Sequence, residues 1–341
     1  MDGLIAPLGT LTMPRRTAPE ATAEDRKASL SGMFFMHRRA RTALRRMADL
    51  YAFGLRADPE EDKLLMLLVG ESGSGKSRVV RKFAEEVVGA IRGPAGDGKA
   101  VRVTCPSRNA STKGIAMNIL QALGDPHWER GSESRMLLRA KAFVAELGVG
   151  MLILDEVHHL VLANSSGSVG TMSRNAKDAL KMISESLRIP IVLVVNGEAE
   201  GRLIAQPEIK RRQRAQFSME PFSWSDPDDR AEHRLFLREL GRSLPFSAPS
   251  ALHALPLARA IHAHCEGLIG QTVQLVEHAL DIAVDAGELG IDASALLAAA
   301  AALYGGRTDL VQSFAAAGQL DSAKTARVAS RPTGVPVAEP R

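Results

Sequence analysis

An eight-residue segment that follows an unbroken apolar run constrains the fold of this chain more than any other feature. Residues 64–69 are apolar, and residues 70–77 read Gly-Glu-Ser-Gly-Ser-Gly-Lys-Ser, which matches the pattern G-x-x-x-x-G-K-[ST] at every fixed position. Glycines allow such a loop to turn its backbone N–H groups inward, at the positive end of the following helix. The segment therefore predicts a phosphate-binding loop between a buried strand and a helix.

The loop predicts that the chain binds ATP and Mg²⁺. Lys76 is expected to reach the β- and γ-phosphates, and the hydroxyl group of Ser77 to coordinate Mg²⁺. The remaining positions are expected to bind the phosphates, and they are Gly70, Glu71, Ser72, Gly73, Ser74 and Gly75. The alternative is a glycine-rich turn with an incidental lysine, but the flanking strand and helix patterns favour the phosphate loop.

Two adjacent acids follow a second apolar run, as a nucleotide site of this kind requires. Residues 151–154 read Met-Leu-Ile-Leu and lead to Asp155 and Glu156. Asp155 is expected to hold Mg²⁺ at the C-terminal edge of a buried sheet, and Glu156 to orient or deprotonate the attacking water. The pair favours hydrolysis over metabolite phosphorylation, because a metabolite kinase has no need to activate water. His158 and His159 have no third metal ligand at a usable spacing and are interpreted as structural.

Two other polar positions have two interpretations each. Asn196 ends an apolar run where such ATPases place a residue that senses the γ-phosphate and positions the water; the alternative is a plain turn asparagine. Arg212 comes where an arginine finger would reach a neighbouring subunit's site and stabilise charge in the transition state. The choice between Arg212 and Arg211 is open, and the alternative for both is surface charge.

Four predicted strands alternate with amphipathic stretches between residues 33 and 225. Three of them are the apolar runs at 64–69, 151–154 and 191–195, and the fourth is the mixed segment at 100–105. This alternation predicts an α/β fold: a P-loop AAA+ parallel sheet with helices on both faces, followed by a small α-helical lid domain. The predicted divisions are a flexible leader at 1–32, an AAA+ nucleotide-binding α/β domain with an N-terminal helix at 33–225, a helical lid domain at 226–310 and a disordered tail at 311–341.

Composition and charge narrow the functional classes. The chain has 341 residues, a net charge of +4 and 2 cysteines. It has no apolar run of the roughly 18 residues that a membrane helix needs and no signal-peptide pattern. With no disulfide framework either, a cytoplasmic protein is expected. The positive charge is concentrated in five arginines within residues 38–46 and in a cluster at 210–214, for which solvated helix faces are the simplest interpretation.

Six further segments, between residues 33 and 305, carry a family resemblance. They are residues 37–47, 68–73, 105–107 with Lys113 and Gly114, 154–160, 189–194 and 267–270. Together they resemble the TniB and TnsC group of transposition ATPases. The resemblance implies an ATP-dependent DNA-binding regulator of DNA transposition that acts in target selection and transposase recruitment. It also implies assembly as a ring or filament on duplex DNA, with a DDE transposase and a TniQ-like adaptor as partners.

The resemblance also assigns roles by motif position, and the chain departs from it twice. It implies nucleotide roles for Lys76, Ser77, Asp155, Glu156, Asn196 and Arg212. Where the family has a Gly-Thr-Pro-like turn at the sensor, this chain has Val195-Asn196-Gly197. Gln271 follows Gly270, where many AAA+ lids place a second, arginine sensor. The departures predict slow ATP hydrolysis that serves as a timer. DNA that aligns the subunits is expected to stimulate this hydrolysis.

The DNA contacts are predicted from the way AAA+ assemblies meet DNA, which is through loops beyond the ends of their strands. The predicted phosphate contacts are Arg108, Lys113, Arg174 and Lys177. Because aromatic residues make up only 4% of the chain, base stacking is not expected, and binding should be mostly to phosphates with little sequence preference. The alternative functions are an IstB/DnaC-like helicase loader, which shares the core, and a nucleotide-gated signalling scaffold.

Overall fold

The protein was analysed as a computed structural model, which divides into two compact units. The α/β unit comprises Arg38–Glu220, and the helical unit combines the described residues before Arg38 with the chain from Pro221 onward. Most of the predicted leader, the whole predicted tail and the Ser/Gly-rich stretch at 164–170 lie outside the described residues. The structure describes residues 22, 24, 30, 33–58, 64–93, 96–105, 111–162, 174–246 and 250–304.

The α/β unit alternates strands and helices as its apolar pattern predicts. A π-helical turn (Phe83–Val87) and a 3-10 turn (Val88–Ala90) extend its second helix, and a short hairpin pairs Arg92–Gly93 with Gly96–Asp97. The main elements are α1 (Arg38–Gly54), β1 (Leu65–Val69), α2 (Lys76–Lys82), β2 (Ala100–Thr104), α3 (Thr112–Ala122), α4 (Glu133–Leu147), β3 (Met151–Asp155), α5 (His158–Leu162), α6 (Arg174–Leu187), β4 (Ile191–Val195), α7 (Gly197–Ile204), α8 (Pro207–Arg212) and β5 (Gln213–Ser218).

The five strands form one parallel sheet in the order β2-β3-β4-β1-β5. Strands β1, β3 and β4 are buried along their whole length, because a parallel sheet carries helices on both faces and its inner strands are therefore apolar throughout. The predicted parallel α/β sheet is confirmed. Since parallel strands end at the same edge, the residues that follow β1, β3 and β4 lie at one edge of the sheet.

A fifth strand, β5, was not predicted from the sequence. Strand β5 reads Gln-Arg-Ala-Gln-Phe-Ser and is only partly buried, because it lies at the edge of the sheet and, among the described strands, pairs with β1 alone. Polar residues are expected on an edge strand, where they discourage pairing with other chains. Arg46 of α1 covers this edge: its guanidinium donates to the carbonyl oxygen of Gln216 at 3.0 Å and lies over the ring of Phe217. At least one arginine of the 38–46 cluster is therefore structural.

In the described part of the helical unit, four helices pack around an apolar core. The first begins as its sequence predicts, with Pro227 in the first turn and the Asp226 carboxylate accepting from the backbone N–H of Asp229 at 2.9 Å. Leu30 and Met33 lie in the same core and belong with the helical unit. Among the described helices, none is long and apolar enough to cross a membrane. The four are α9 (Pro227–Ser243), α10 (Leu255–Cys265), α11 (Ile269–Asp285) and α12 (Ala293–Tyr304).

Candidate nucleotide site

The segment predicted to bind phosphate forms a tight loop between β1 and α2. Gly75 immediately precedes α2 with φ at 92°, a left-handed conformation that glycine adopts without the steric cost that a side chain brings. Gly70 is constrained by close approach, since an added Cβ atom would lie 2.8 Å from the backbone oxygen of Met219 and from Ser74 Oγ. Both glycines of the motif are thus required by the backbone path, before any ligand is considered.

Lys76 folds back over the loop that precedes it. Its Nζ donates to the carbonyl oxygens of Gly70 and Glu71 at 2.6 and 2.7 Å, and to Ser74 Oγ at 3.4 Å. Burial lowers the pKa of Lys76, and the carboxylates of Glu156 and Asp155 are the largest effects that oppose this shift. The loop therefore encloses the Lys76 ammonium group. A phosphate that binds there would replace the neutral carbonyl oxygens as its hydrogen-bond partner.

The structure brings Ser77 and Asp155 together from positions 78 residues apart in the chain. Ser77 Oγ donates to Asp155 Oδ1 at 3.4 Å, and the backbone N–H of Glu156 donates to the same oxygen at 3.0 Å. Asp155 ends β3 and is fully buried. A hydroxyl and a carboxylate oxygen are hard oxygen ligands, of the kind that Mg²⁺ takes together with waters and nucleotide phosphates. The two residues fit the predicted Mg²⁺ site.

Arg102 is a third member of this site that the sequence analysis does not identify. Its Nε and Nη2 donate to Asp155 Oδ2 at 3.1 and 2.7 Å. A buried carboxylate needs a partner of this kind, because leaving the charge uncompensated costs several kcal/mol. The only sequence signal is an arginine between two valines on β2, the strand that pairs with β3.

Glu156 follows Asp155 in a left-handed conformation, with φ at 60°, which is uncommon for a residue other than glycine. Its Oε2 lies 3.2 Å from Nε2 of His158 and 3.6 Å from Nε2 of His159. Burial lowers the pKa of His158, and Glu156 opposes that shift. No third ligand beside the two histidines was predicted, whereas in the structure the Glu156 carboxylate lies within reach of both rings.

Asn196 follows β4, between the ends of β1 and β3. Its side-chain oxygen accepts from the backbone N–H of Ala199 at 2.9 Å, so it caps α7. Capping is a turn role and corresponds to the alternative interpretation of this residue. The bond uses the oxygen only, so the amide nitrogen is the atom that can donate to a phosphate at this edge of the sheet.

A family model described as "Bacterial TniB protein" matches residues 29–223, more than half of the chain. The chain belongs to the TniB family. No curated protein sequence matches it.

Solved structures show which fold this TniB family member has. Identities of 19% or less show the fold alone, and the fold is that of AAA+ ATPases. The chain spans 65% of the first of these structures. Similar structures are the ORC1 protein of Aeropyrum pernix in complex with DNA (19% identity, TM-score 0.60, 77% of this chain and 65% of that chain), the ORC2 protein of Aeropyrum pernix in ADPNP and ADP complexes (13%, 0.60, 88% and 74%) and Cdc6p of Pyrobaculum aerophilum (15%, 0.58, 89% and 74%).

Arg212, the predicted finger, has a partner within its own unit. It ends α8, and its Nη2 lies 2.7 Å from Oε1 of Glu185 on α6, with both side chains partly exposed. Its neighbour Arg211 is exposed. The geometry places both guanidinium groups at the surface, next to the edge strand β5, and leaves the choice between them open.

The predicted DNA contacts are only partly within the described structure. Lys113 is exposed in the first turn of α3, and Lys177 is partly exposed on α6. These two helices pack against each other, so the two lysines stand on neighbouring elements. Arg174 begins α6, but its side chain lies outside the described part of the structure, as does all of Arg108.

Proposed function

We propose that this TniB family member is an ATP-hydrolysing, DNA-binding regulator of DNA transposition. It binds MgATP in the α/β unit, assembles as a ring or filament on duplex DNA, and selects targets and recruits a DDE transposase with a TniQ-like adaptor. The observation that carries the proposal is the approach of Ser77 to Asp155, at 3.4 Å, in a chain whose family is named for a transposition protein.

In this proposal, each residue of the nucleotide site has one role in ATP hydrolysis. The ammonium group of Lys76 exchanges the loop carbonyls for phosphate oxygens, and the amide nitrogen of Asn196 donates to the γ-phosphate. Glu156 accepts a proton from water while the water oxygen bonds to the γ-phosphorus and the bond to the β–γ bridging oxygen breaks, which yields ADP and phosphate. Ser77 and Asp155 would hold Mg²⁺, which neutralises phosphate charge.

Arg102 acts as a positioning residue in this proposal. It takes both of its bonds to Oδ2 of Asp155, so Oδ1 is the oxygen that faces Ser77. A carboxylate held at one oxygen by a guanidinium cannot rotate freely, and its other oxygen is oriented for the cation. Arg102 therefore offsets the cost of burying the Asp155 charge, and it would leave Oδ1 as the oxygen available to hold Mg²⁺.

Assembly completes the site in the proposal. Arg212 exchanges Glu185 for the γ-phosphate of a neighbouring subunit, where a guanidinium is worth ~10³ or more in rate. The exchange is favourable only where a neighbour is present, because an exposed ion pair contributes about 0–1 kcal/mol and is readily given up. DNA that aligns subunits therefore stimulates an otherwise slow hydrolysis.

The proposed contact with DNA is through phosphates. Lys113 and Lys177 are the described members of the predicted set, with Arg108 and Arg174 as the others. Arg38, Arg41 and Arg45 of α1 are also exposed, on the side opposite the buried face of that helix. Such contacts depend on the charge of the DNA backbone and not on the base sequence. This fits a protein that selects targets without a single consensus sequence.

The test compares the wild type with Glu156→Gln, using turnover, DNA binding and electron microscopy of the protein on duplex DNA. Glu156→Gln should bind ATP and DNA and form DNA-bound rings or filaments, yet lose hydrolysis, because the Mg²⁺ ligands are intact and the base is not. Glu198→Gln is the matched control, an exposed acid near the same sheet edge. Wild-type turnover from Glu156→Gln, or no ATP-dependent DNA binding by the wild type, would overturn the proposal.

A further inference from the structure

Two imidazoles and a carboxylate converge directly after β3. His158 Nε2 and His159 Nε2 lie 3.2 and 3.6 Å from the same oxygen, Oε2 of Glu156. The candidate ligand atoms of all three residues lie within 4.8 Å of one another. In a tetrahedral zinc site, with bonds of about 2.0–2.2 Å, ligand atoms are separated by about 3.3 Å. Two of the three separations already match that value.

The three side chains stand on a turn whose backbone is fixed. The backbone N–H of Val157 donates to the carbonyl oxygen of Val194 at 3.0 Å, and that of His159 donates to the carbonyl oxygen of Glu156 at 3.0 Å. Val157 and Leu160, which alternate with the three polar residues, are fully buried. The apolar residues therefore anchor the turn, and the left-handed backbone of Glu156 directs its carboxylate back toward the two rings.

The ligand set selects the class of ion. Two imidazole nitrogens and one carboxylate suit Zn²⁺, and the same set suits Cu²⁺ or Ni²⁺. Mg²⁺ prefers oxygen ligands and is expected at Ser77 and Asp155 instead. Both cysteines of the chain are buried and offer no competing surface thiolate.

We propose that Glu156, His158 and His159 bind one divalent transition-metal ion of the Zn²⁺ class, and that this ion inhibits ATP hydrolysis by coordinating the base. A carboxylate that donates a lone pair to Zn²⁺ loses electron density to the cation and is held in place by it, so it is a much weaker base toward water. ATP is still bound, because Lys76 and Ser77 are not ligands of the ion. The inhibition rests on the proposed function, whereas the binding of the ion does not.

The binding test titrates ZnCl₂ into the untagged full chain without nucleotide or Mg²⁺, by calorimetry. The wild type should take up one equivalent, and His158→Ala and His159→Ala should each lower the affinity by more than about 10-fold. His278→Ala, an exposed histidine on α11, is the control and should bind as the wild type does. Co²⁺ in place of Zn²⁺ should give the intense visible absorption of a tetrahedral site, and His158→Gln repeats the test with a bulkier side chain if His158→Ala fails to fold.

The inhibition test adds Zn²⁺ to the ATPase reaction with MgATP in excess. Turnover of the wild type should fall with unchanged nucleotide affinity, and His159→Ala should resist Zn²⁺ when compared with its own zinc-free rate. Equal Zn²⁺ affinity for His158→Ala, His159→Ala and His278→Ala would overturn the site. Specific Zn²⁺ binding with undiminished turnover would overturn the inhibition, and specific binding by a chain without ATPase activity would instead contradict the proposed function.

Discussion

Each of the two units buries an ionisable side chain completely, but they surround it in opposite ways. Asp155 of the α/β unit receives hydrogen bonds at both oxygens, from Arg102 at one and from Ser77 and a backbone N–H at the other. In the described structure of the helical unit, His233 is equally buried, and neither of its ring nitrogens has a hydrogen-bond partner.

The surroundings of His233 are aromatic. The rings of Phe222, His262 and Phe236 lie 5.6, 5.4 and 6.4 Å from its own. Burial lowers the pKa of His233 to about 3, with His262 as a smaller cause, so it packs as a neutral ring.

A buried charge is tolerated only where partners compensate it, whereas a neutral imidazole can be packed for its shape. The α/β unit therefore buries a charge together with its partners, whereas the helical unit buries an imidazole that packs without charge.

The largest expected effect is at the loop of the charged pocket. Lys76→Ala should lower the affinity for ATP by about 10²–10⁴-fold, because hydrogen bonds to charged groups contribute about 1.5–3 kcal/mol each and the ammonium is expected to meet two phosphates. Lys82→Ala, at the other end of α2, is the matched control. Calorimetric titration with a non-hydrolysable ATP analogue measures both, and an affinity for Lys76→Ala within about threefold of the control would contradict the assignment.

The second-largest effect is expected from removing the partner of the buried Asp155 carboxylate. Arg102→Ala should lower the free energy of unfolding by about 3 kcal/mol, the lower end of the range for a broken buried pair, because Arg102 is itself 27% exposed. MgATP should restore part of the loss, since the cation then meets the carboxylate, and the apparent affinity for Mg²⁺ should change as well.

The control for Arg102 removes both charges. Arg102→Leu combined with Asp155→Asn should be more stable than Arg102→Ala alone, because no unpaired carboxylate is left buried. Arg102→Lys should lie between the wild type and Arg102→Ala. Denaturant unfolding with and without Mg²⁺ measures all four proteins. If Arg102→Ala unfolds like Arg81→Ala, an exposed arginine on α2, the buried pair has no energetic role.

The third prediction concerns His233 and the pH dependence of the free energy of unfolding. The folded pKa of His233, about 3, lies below the unfolded value of about 6.5, so the unfolded chain binds the extra proton between these values. The free energy of unfolding should therefore fall as the pH drops below 6.5, by up to about 1.4 kcal/mol per pH unit from this residue.

Replacing the imidazole isolates this contribution. His233→Phe keeps a ring of similar shape and cannot be protonated, so its stability should fall less than that of the wild type between pH 7 and pH 5. His278→Phe, at an exposed position, controls for the loss of a histidine as such. Parallel stability curves for the wild type and His233→Phe would show that His233 is protonated in the folded state and would remove the contrast between the units.

The apolar strands and the loop could be predicted from the sequence because each depends on residues that are close together in the chain. Strands β1, β3 and β4 are apolar at nearly every position, since both faces are buried. Strand β5 is missed because an edge strand is polar and shares its composition with loops. The phosphate loop is recognised because its glycines and Lys76 are required by a backbone path only eight residues long.

The charged partners in the pocket could not be predicted in this way. The pair of Arg102 and Asp155 joins residues 53 positions apart and depends on β2 lying next to β3, which no local pattern states. The approach of Glu156 to His158 depends on one left-handed residue, and its φ cannot be inferred from the letters Asp-Glu-Val-His-His. The cap formed by Asn196 was visible as an alternative, because asparagine before a helix is a common cap.

The smallest expected change in stability is at the exposed pair of Arg212 and Glu185. Both side chains are partly in water, at 32% and 49% exposure, so Arg212→Ala should change the free energy of unfolding by less than about 1 kcal/mol. Denaturant unfolding measures this value. A loss as large as that of Arg102→Ala would show that Arg212 belongs to the compensated interior and is not free to exchange partners.

Turnover in mixed assemblies decides whether this weakly held arginine acts on a neighbour. Arg212→Ala should bind ATP normally yet lose DNA-stimulated hydrolysis, and Lys76→Ala should lose hydrolysis through its own pocket. A mixture of the two, at concentrations where subunits associate, should recover part of the activity, because Lys76→Ala supplies an intact finger and Arg212→Ala an intact pocket. Arg211→Ala in place of Arg212→Ala tests the choice between the two. If activity per subunit is constant on dilution and every mixture stays inactive, the arginine does not act in trans, and its bond to Glu185 is its only role.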